Sequence, residues 1–137
     1  MILNEYVWIS SDQNKDIYPN NKPYQFKIQL PQTIPINGNC LIGLCEIRGL
    51  KKQRSKEIFI CCDQCQYSIV DDKLYPVLRC VDTSDEVKII HTPFYVSSKI
   101  TSSIDHLSFY ILDGKGELAS FLKEPLKISI HIKSRNE

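Results

Sequence analysis

The chain closes on the segment Leu126 to Lys133, which reads Leu-Lys-Ile-Ser-Ile-His-Ile-Lys. Leu126, Ile128, Ile130 and Ile132 fall on one face, and Lys127, Ser129, His131 and Lys133 on the other. Alternation with a period of two makes a β-strand with one face on a core and one in water or against a partner. The same signature recurs along the chain, and no helical period of comparable length competes with it. A chain built of such strands is expected to be a sandwich or a barrel.

Tyr6-Val7-Trp8-Ile9-Ser10 is rich in β-formers and reads as a first strand, ending at the polar run from Ser10 to Lys15. Pro19 to Pro23 is turn chemistry. Tyr24, Phe26, Ile28 and Leu30 then alternate with polar residues, and Pro31 to Pro35 is expected to break that strand. Cys40 to Ile47 is apolar on both faces, which suits a strand covered on both sides or meeting a neighbouring subunit. Glu57 to Cys62 is a further strand. Pro76 demotes Leu74 to Cys80 to an edge strand or an extended loop, and Pro93 to Ser97 is short and apolar. Leu107, Phe109 and Ile111 alternate up to Asp113-Gly114, a tight-turn pair. About eight short strands result. Phe26, Ile28, Leu107, Phe109, Ile128 and Ile130 are the expected core.

A length of 137 residues suits one domain. With 17 basic and 16 acidic residues the net charge is +1, so no global field draws the chain to nucleic acid or a membrane. Met1-Ile2-Leu3 runs straight into Asn4 and Glu5, and no apolar stretch approaches the ~18 residues of a span. The expectation is a protein made in the cytosol and not secreted. There the six cysteines, Cys40, Cys45, Cys61, Cys62, Cys65 and Cys80, are expected to be free thiols.

No nucleotide-binding, hydrolase or metalloprotease motif is present, and His91, His106 and His131 have no sequence partner suggesting a catalytic triad. No enzyme, catalytic residue or cofactor is therefore expected. Cys62-Asp63-Gln64-Cys65 has the spacing of a zinc knuckle, but its second pair would be Cys80 and His91, with ten residues between them where two to five would suit. No bound metal is expected. The basic loop Lys51, Lys52, Arg54 and Lys56 lacks interleaved aromatics and reads as a solvated hairpin tip, with no specific nucleic-acid site.

Three ordered blocks resemble the minor capsid (penton) proteins of Polinton/Maverick elements and the related adintoviruses. The first runs from Trp8-Ile9-Ser10-Ser11 through Ile17 to Pro23 and Phe26 to Pro31, then Leu41 to Ile47. The second runs from Ile58 to Asp63, through Ser68-Ile69-Val70, to Pro76-Val77-Leu78-Arg79. The third joins Phe94-Tyr95-Val96, Leu107 to Glu117, and the closing strand. Asp71 stands where the family pattern has glycine, and His131-Ile132-Lys133 approximates a basic terminus.

The resemblance implies a single jelly-roll β-sandwich spanning residues 1–137. It further implies a virion protein that assembles with itself as a pentamer at icosahedral vertices, beside a double jelly-roll major capsid protein. Exposed aromatics on turns, Tyr18, Tyr24, Tyr67 and Tyr75, are candidate contact residues. The alternative is a stand-alone or domesticated β-sandwich binding module, zinc-stapled through Cys62, Cys65 and Cys80.

Overall fold

The computed structural model describes residues 2–36, 38–50 and 56–135. It is all-β: among the described residues there is no helix, so none is long and apolar enough to cross a membrane. The described residues form eleven strands: β1 (Asn4–Ser10), β2 (Gln25–Pro35), β3 (Cys40–Arg48), β4 (Glu57–Cys62), β5 (Ser68–Val70), β6 (Lys73–Tyr75), β7 (Val77–Asp82), β8 (Val87–Ile89), β9 (Tyr95–Ser97), β10 (Ser103–Asp113) and β11 (Lys127–Ser134). The excess over eight has two sources. Two three-residue strands, β8 and β9, lie end to end along β3, and β5 and β6 form a separate small hairpin.

Sheet A has the order β1-β11-β3, with β8 and β9 both on the far side of β3. Sheet B has the order β2-β10-β4-β7. All pairings are antiparallel. The two inner faces form one core, including Phe26 and Ile28 of β2, Leu107 and Phe109 of β10, and Ile128 and Ile130 of β11. These six residues are the ones expected from alternation, and all are buried. The Phe26 and Phe109 rings stack at 5.4 Å, sealing the β2–β10 pair from inside.

The central strand β3 keeps its inward residues through a bulge. Cys40, Ile42 and Leu44 are buried at even positions, but the next buried residue is Ile47. Ser129 pairs with Glu46 and Ile130 with Leu44, so Cys45 is the extra residue that resets the alternation.

Pro31 to Pro35 do not break β2, contrary to expectation. β2 is an edge strand of sheet B, where a missing N–H costs no ladder bond on the open side. The register also slips there: Gln29 pairs with His106 and Ile34 with Ile104, leaving residues 30–33 without a ladder partner. Pro76 behaves as expected, separating β6 from β7, and β7 is the other edge of sheet B.

The turn after β10 is longer than an Asp-Gly pair. Asp113 accepts from the main-chain N–H groups of Lys115 and Glu117 at 2.8 and 3.0 Å, and Gly116, not Gly114, takes the positive φ of 83°. Asp71, in the two-residue turn between β5 and β6, has φ 56°. That conformation favours glycine and is tolerated by aspartate.

Candidate interaction face

The outer face of sheet A is laid out in rows by the ladder register. Tyr6, His131, Gly43 and Tyr95 form one row across β1, β11, β3 and β9. Trp8, Ser129, Glu46 and Ile89 form the next, and Ser10, Lys127, Arg48 and Val87 the one after. Residues paired across a ladder share a face, so each row is a continuous strip of side chains.

The first row is an aromatic cluster. The Tyr6 and His131 rings stack at 4.2 Å with 5° between planes, and Tyr95 meets His131 edge-on at 5.7 Å. Gly43 permits this: a Cβ there would lie 2.9 Å from the Tyr95 ring. The Lys133 ammonium sits 4.1 Å from the centre of the Tyr95 ring. His131 is only 7% exposed although it lies on the outer face. Its ring nitrogens are both engaged, Nδ1 at 2.8 Å from the Tyr95 hydroxyl and Nε2 at 2.6 Å from Asn4 Oδ1. Asn4 Oδ1 is an acceptor, so Nε2 carries the proton and Nδ1 accepts from the Tyr95 hydroxyl. The neutral imidazole is thereby fully satisfied. Burial, then the nearby Lys133 charge, lowers the His131 pKa from its ordinary value, and burial raises that of Tyr95.

The rows below open into a groove of 510 Å³ walled by Trp8, Gln13, Glu46, Arg48 and Lys127, with Ser129 among its lining residues. Glu46 and Arg48 form an ion pair along its β3 side. Trp8 is 72% exposed and Tyr6 53%, large apolar rings left at the β1 edge of the sheet. Across the molecule, Phe94 is also exposed, with the Arg79 guanidinium 5.8 Å from its ring centre.

The turn aromatics singled out from sequence fare unevenly. Tyr67 is exposed and carries the Lys99 ammonium at 4.2 Å, whereas Tyr18, Tyr24 and Tyr75 are half-buried. Tyr6, Trp8 and Tyr95 were not singled out. The signal available was Tyr6 and Trp8 at alternate positions on one strand whose other face, Val7 and Ile9, is also apolar.

Cys62 and Cys65 do not converge with Cys80. Both are buried, and the Cys62 thiol donates to Gln64 Oε1 at 3.4 Å, while Cys80 is exposed opposite Phe59 on the outer side of sheet B. Gln64 Oε1 also accepts from Ser108 N–H at 3.2 Å, so the knuckle is a packed turn tied to β10. Burial drives the Cys61 thiol up to about 12, and hydrogen bonding to Cys62 and burial raise that of Cys65. All six cysteines are free thiols. Among the described residues no group of three or more His, Cys, Asp or Glu is placed to hold a metal ion. His91 and His106 are exposed, the latter 2.8 Å from Asp105. Of the basic loop, Lys51, Lys52 and Arg54 lie outside the described residues, and the Lys56 ammonium packs 4.3 Å from the Phe121 ring centre.

Neither protein-family models nor curated protein sequences give a match to this chain.

Proposed function

We propose that the sandwich is a jelly roll and that the chain is a minor capsid protein, a penton subunit that closes into a pentamer at the vertices of an icosahedral shell. The observation carrying this is the strand order. Counting β8 and β9 as one interrupted strand and setting aside the β5–β6 hairpin leaves eight. The first pairs with the eighth, the second with the seventh, the third with the sixth and the fourth with the fifth. A long antiparallel ribbon with those pairings, rolled so that alternate pairs fall in opposite sheets, is the winding of a jelly roll.

The three sequence blocks support the same family, and the left-handed Asp71 supplies the backbone that its glycine would. Jelly rolls also serve lectins and cupins, but here the space between the sheets is filled by Phe26, Phe109, Leu44 and the isoleucines of β11. Recognition then falls to the outer surfaces, which suits assembly rather than catalysis. A head-to-tail interface between opposite flanks closes into a ring when the rotation allows. Exposed apolar side chains lie on both flanks, Trp8 on one and Phe94 on the other.

Co-expression with a double jelly-roll major capsid protein encoded beside this chain tests the proposal. Shells should incorporate the chain. Shells that close with vacant vertices and never take it up would favour the second reading, a binding module using the Tyr6–Trp8 face.

A further inference from the structure

β1 leaves a stretch of sheet edge open, whereas the edges of β2 and β9 are blocked. Toward β11 the main chain is engaged at Leu3 and Ser11: Ser134 N–H donates to the Leu3 carbonyl at 3.0 Å, and Ser11 N–H to the Leu126 carbonyl at 2.8 Å. Alternation along an antiparallel strand then turns the N–H and C=O groups of Asn4, Tyr6 and Trp8 away from β11, out of the sheet's edge. The open stretch stops at Ser10, whose N–H donates to Gln13 Oε1 at 2.7 Å and whose carbonyl accepts from Gln13 N–H at 3.2 Å.

β2, facing the same flank, is closed by side chains. Asn21 donates to the Lys27 carbonyl at 2.7 Å and accepts from its N–H at 2.9 Å, and Asn14 Oδ1 accepts from Gln29 N–H at 2.9 Å. Pro31 and Pro35 have no N–H to offer. On the opposite edge of sheet A, the Ser97 carbonyl of β9 accepts from Gln66 N–H at 2.9 Å. Natural sheets block edges in these ways because an open one pairs with other chains.

We propose that the β1 edge from Asn4 to Trp8 docks an extended peptide segment of a partner protein, which adds to sheet A as one more strand. Only another extended backbone matches a row of in-plane donors and acceptors. Both sides of the incoming strand would be served. On the outer side its alternate residues would lie against the exposed rings of Tyr6 and Trp8. On the inner side they would enter the groove of 480 Å³ between β1 and β2, lined by Val7, Ile9, Ile28 and Leu30. Glu5, exposed at one end of that inner side, favours a basic residue opposite it. The partner segment is therefore apolar at alternate positions with one lysine or arginine. A second copy fits less well, since side-by-side sandwiches would press two capped, proline-bearing β2 edges together. The edge is open in the single sandwich; in the proposed ring the Trp8 flank would meet a neighbouring subunit, so peptide docking and ring closure would compete for it.

The test is a displayed library of random nine-residue peptides selected on the intact chain and counter-selected on Trp8→Pro, which removes one edge N–H. Alternating apolar sequences should be enriched. Methylating the peptide amides that face β1 should weaken binding by at least about tenfold, two lost hydrogen bonds' worth, while methylating the intervening amides should not. Trp8→Ala should weaken binding severalfold through loss of the ring alone. Absence of enrichment over Trp8→Pro, or binding indifferent to which amides are methylated, overturns the proposal. If Trp8→Pro fails to fold, the methylation arm decides alone. Sedimentation showing a dimer of the chain that Trp8→Ala dissociates assigns the edge to a second copy and overturns it too.

Discussion

The Tyr95 hydroxyl lies 2.8 Å from Nδ1 of His131, tying a buried imidazole to β9 on the outside of the sandwich. Protonating Nδ1 would turn the Tyr95 hydroxyl from donor to acceptor and would place a buried positive charge beside that of Lys133. The folded-state pKa lies below the ordinary value, so at intermediate pH the unfolded chain binds the extra proton. The stabilisation is complete above the unfolded pKa of about 6.5 and is lost as pH falls through the folded value. Urea midpoints should therefore drop between pH 7.5 and 5.5. In His131→Phe, which retains the ring but not the proton site, the drop over that window should shrink. An unchanged pH dependence in the variant would disprove the role.

Gly43 and Gly49 should respond differently to alanine. At Gly49 φ is 94° and a Cβ would lie 2.3 Å from the Pro125 carbonyl oxygen, a backbone atom with little room to move. The conformation alone costs on the order of 1–3 kcal/mol, and the clash adds to it. At Gly43 the Cβ meets the Tyr95 ring, a side chain that can swing out. Gly43→Ala should cost less in denaturant melts, yet move the His131 titration by NMR back toward its ordinary pKa.

Truncating the inner face tests the sheet parity. Ile128→Ala and Phe109→Ala should each cost about 2–5 kcal/mol through lost burial and the cavity left behind. Near-zero costs at both in urea unfolding would mean that the faces are reversed.

The thiols should report the same layering. Cys80 is exposed, though burial of its sulfur and the neighbouring Glu57 push it up to about 11, so its labelling should be slow near neutral pH and speed up in alkali. Cys61, Cys62 and Cys65 should be labelled only on unfolding. A pulse of maleimide followed by peptide mass spectrometry checks the order. Chelator should leave the melting temperature unchanged, and a drop would revive the zinc staple.

Strand parity was legible wherever one face meets the core and the other meets polar residues, as in β10 and β11. It failed where an edge relaxes the rules. β2 runs through two prolines because its outer side needs no donors and its ladder to β10 slips. β8 and β9 are three residues each, too short for a period to register. The interaction face was hidden for a different reason. His131 meets Asn4 and Tyr95, positions 127 and 36 residues away, so nothing local marks the histidine as buried. Its alternation with isoleucines places it on the outer face, which is correct; what covers that face is set by β1 and β9.

The most direct measurement is the copy number of this chain at the vertices of shells formed with a double jelly-roll major capsid protein, read from fivefold-resolved cryo-electron microscopy density. Five sandwiches in a closed ring at each vertex, joined flank to flank, are expected. Closed shells with vertices empty of this chain, or bearing it as isolated monomers, would contradict the penton assignment.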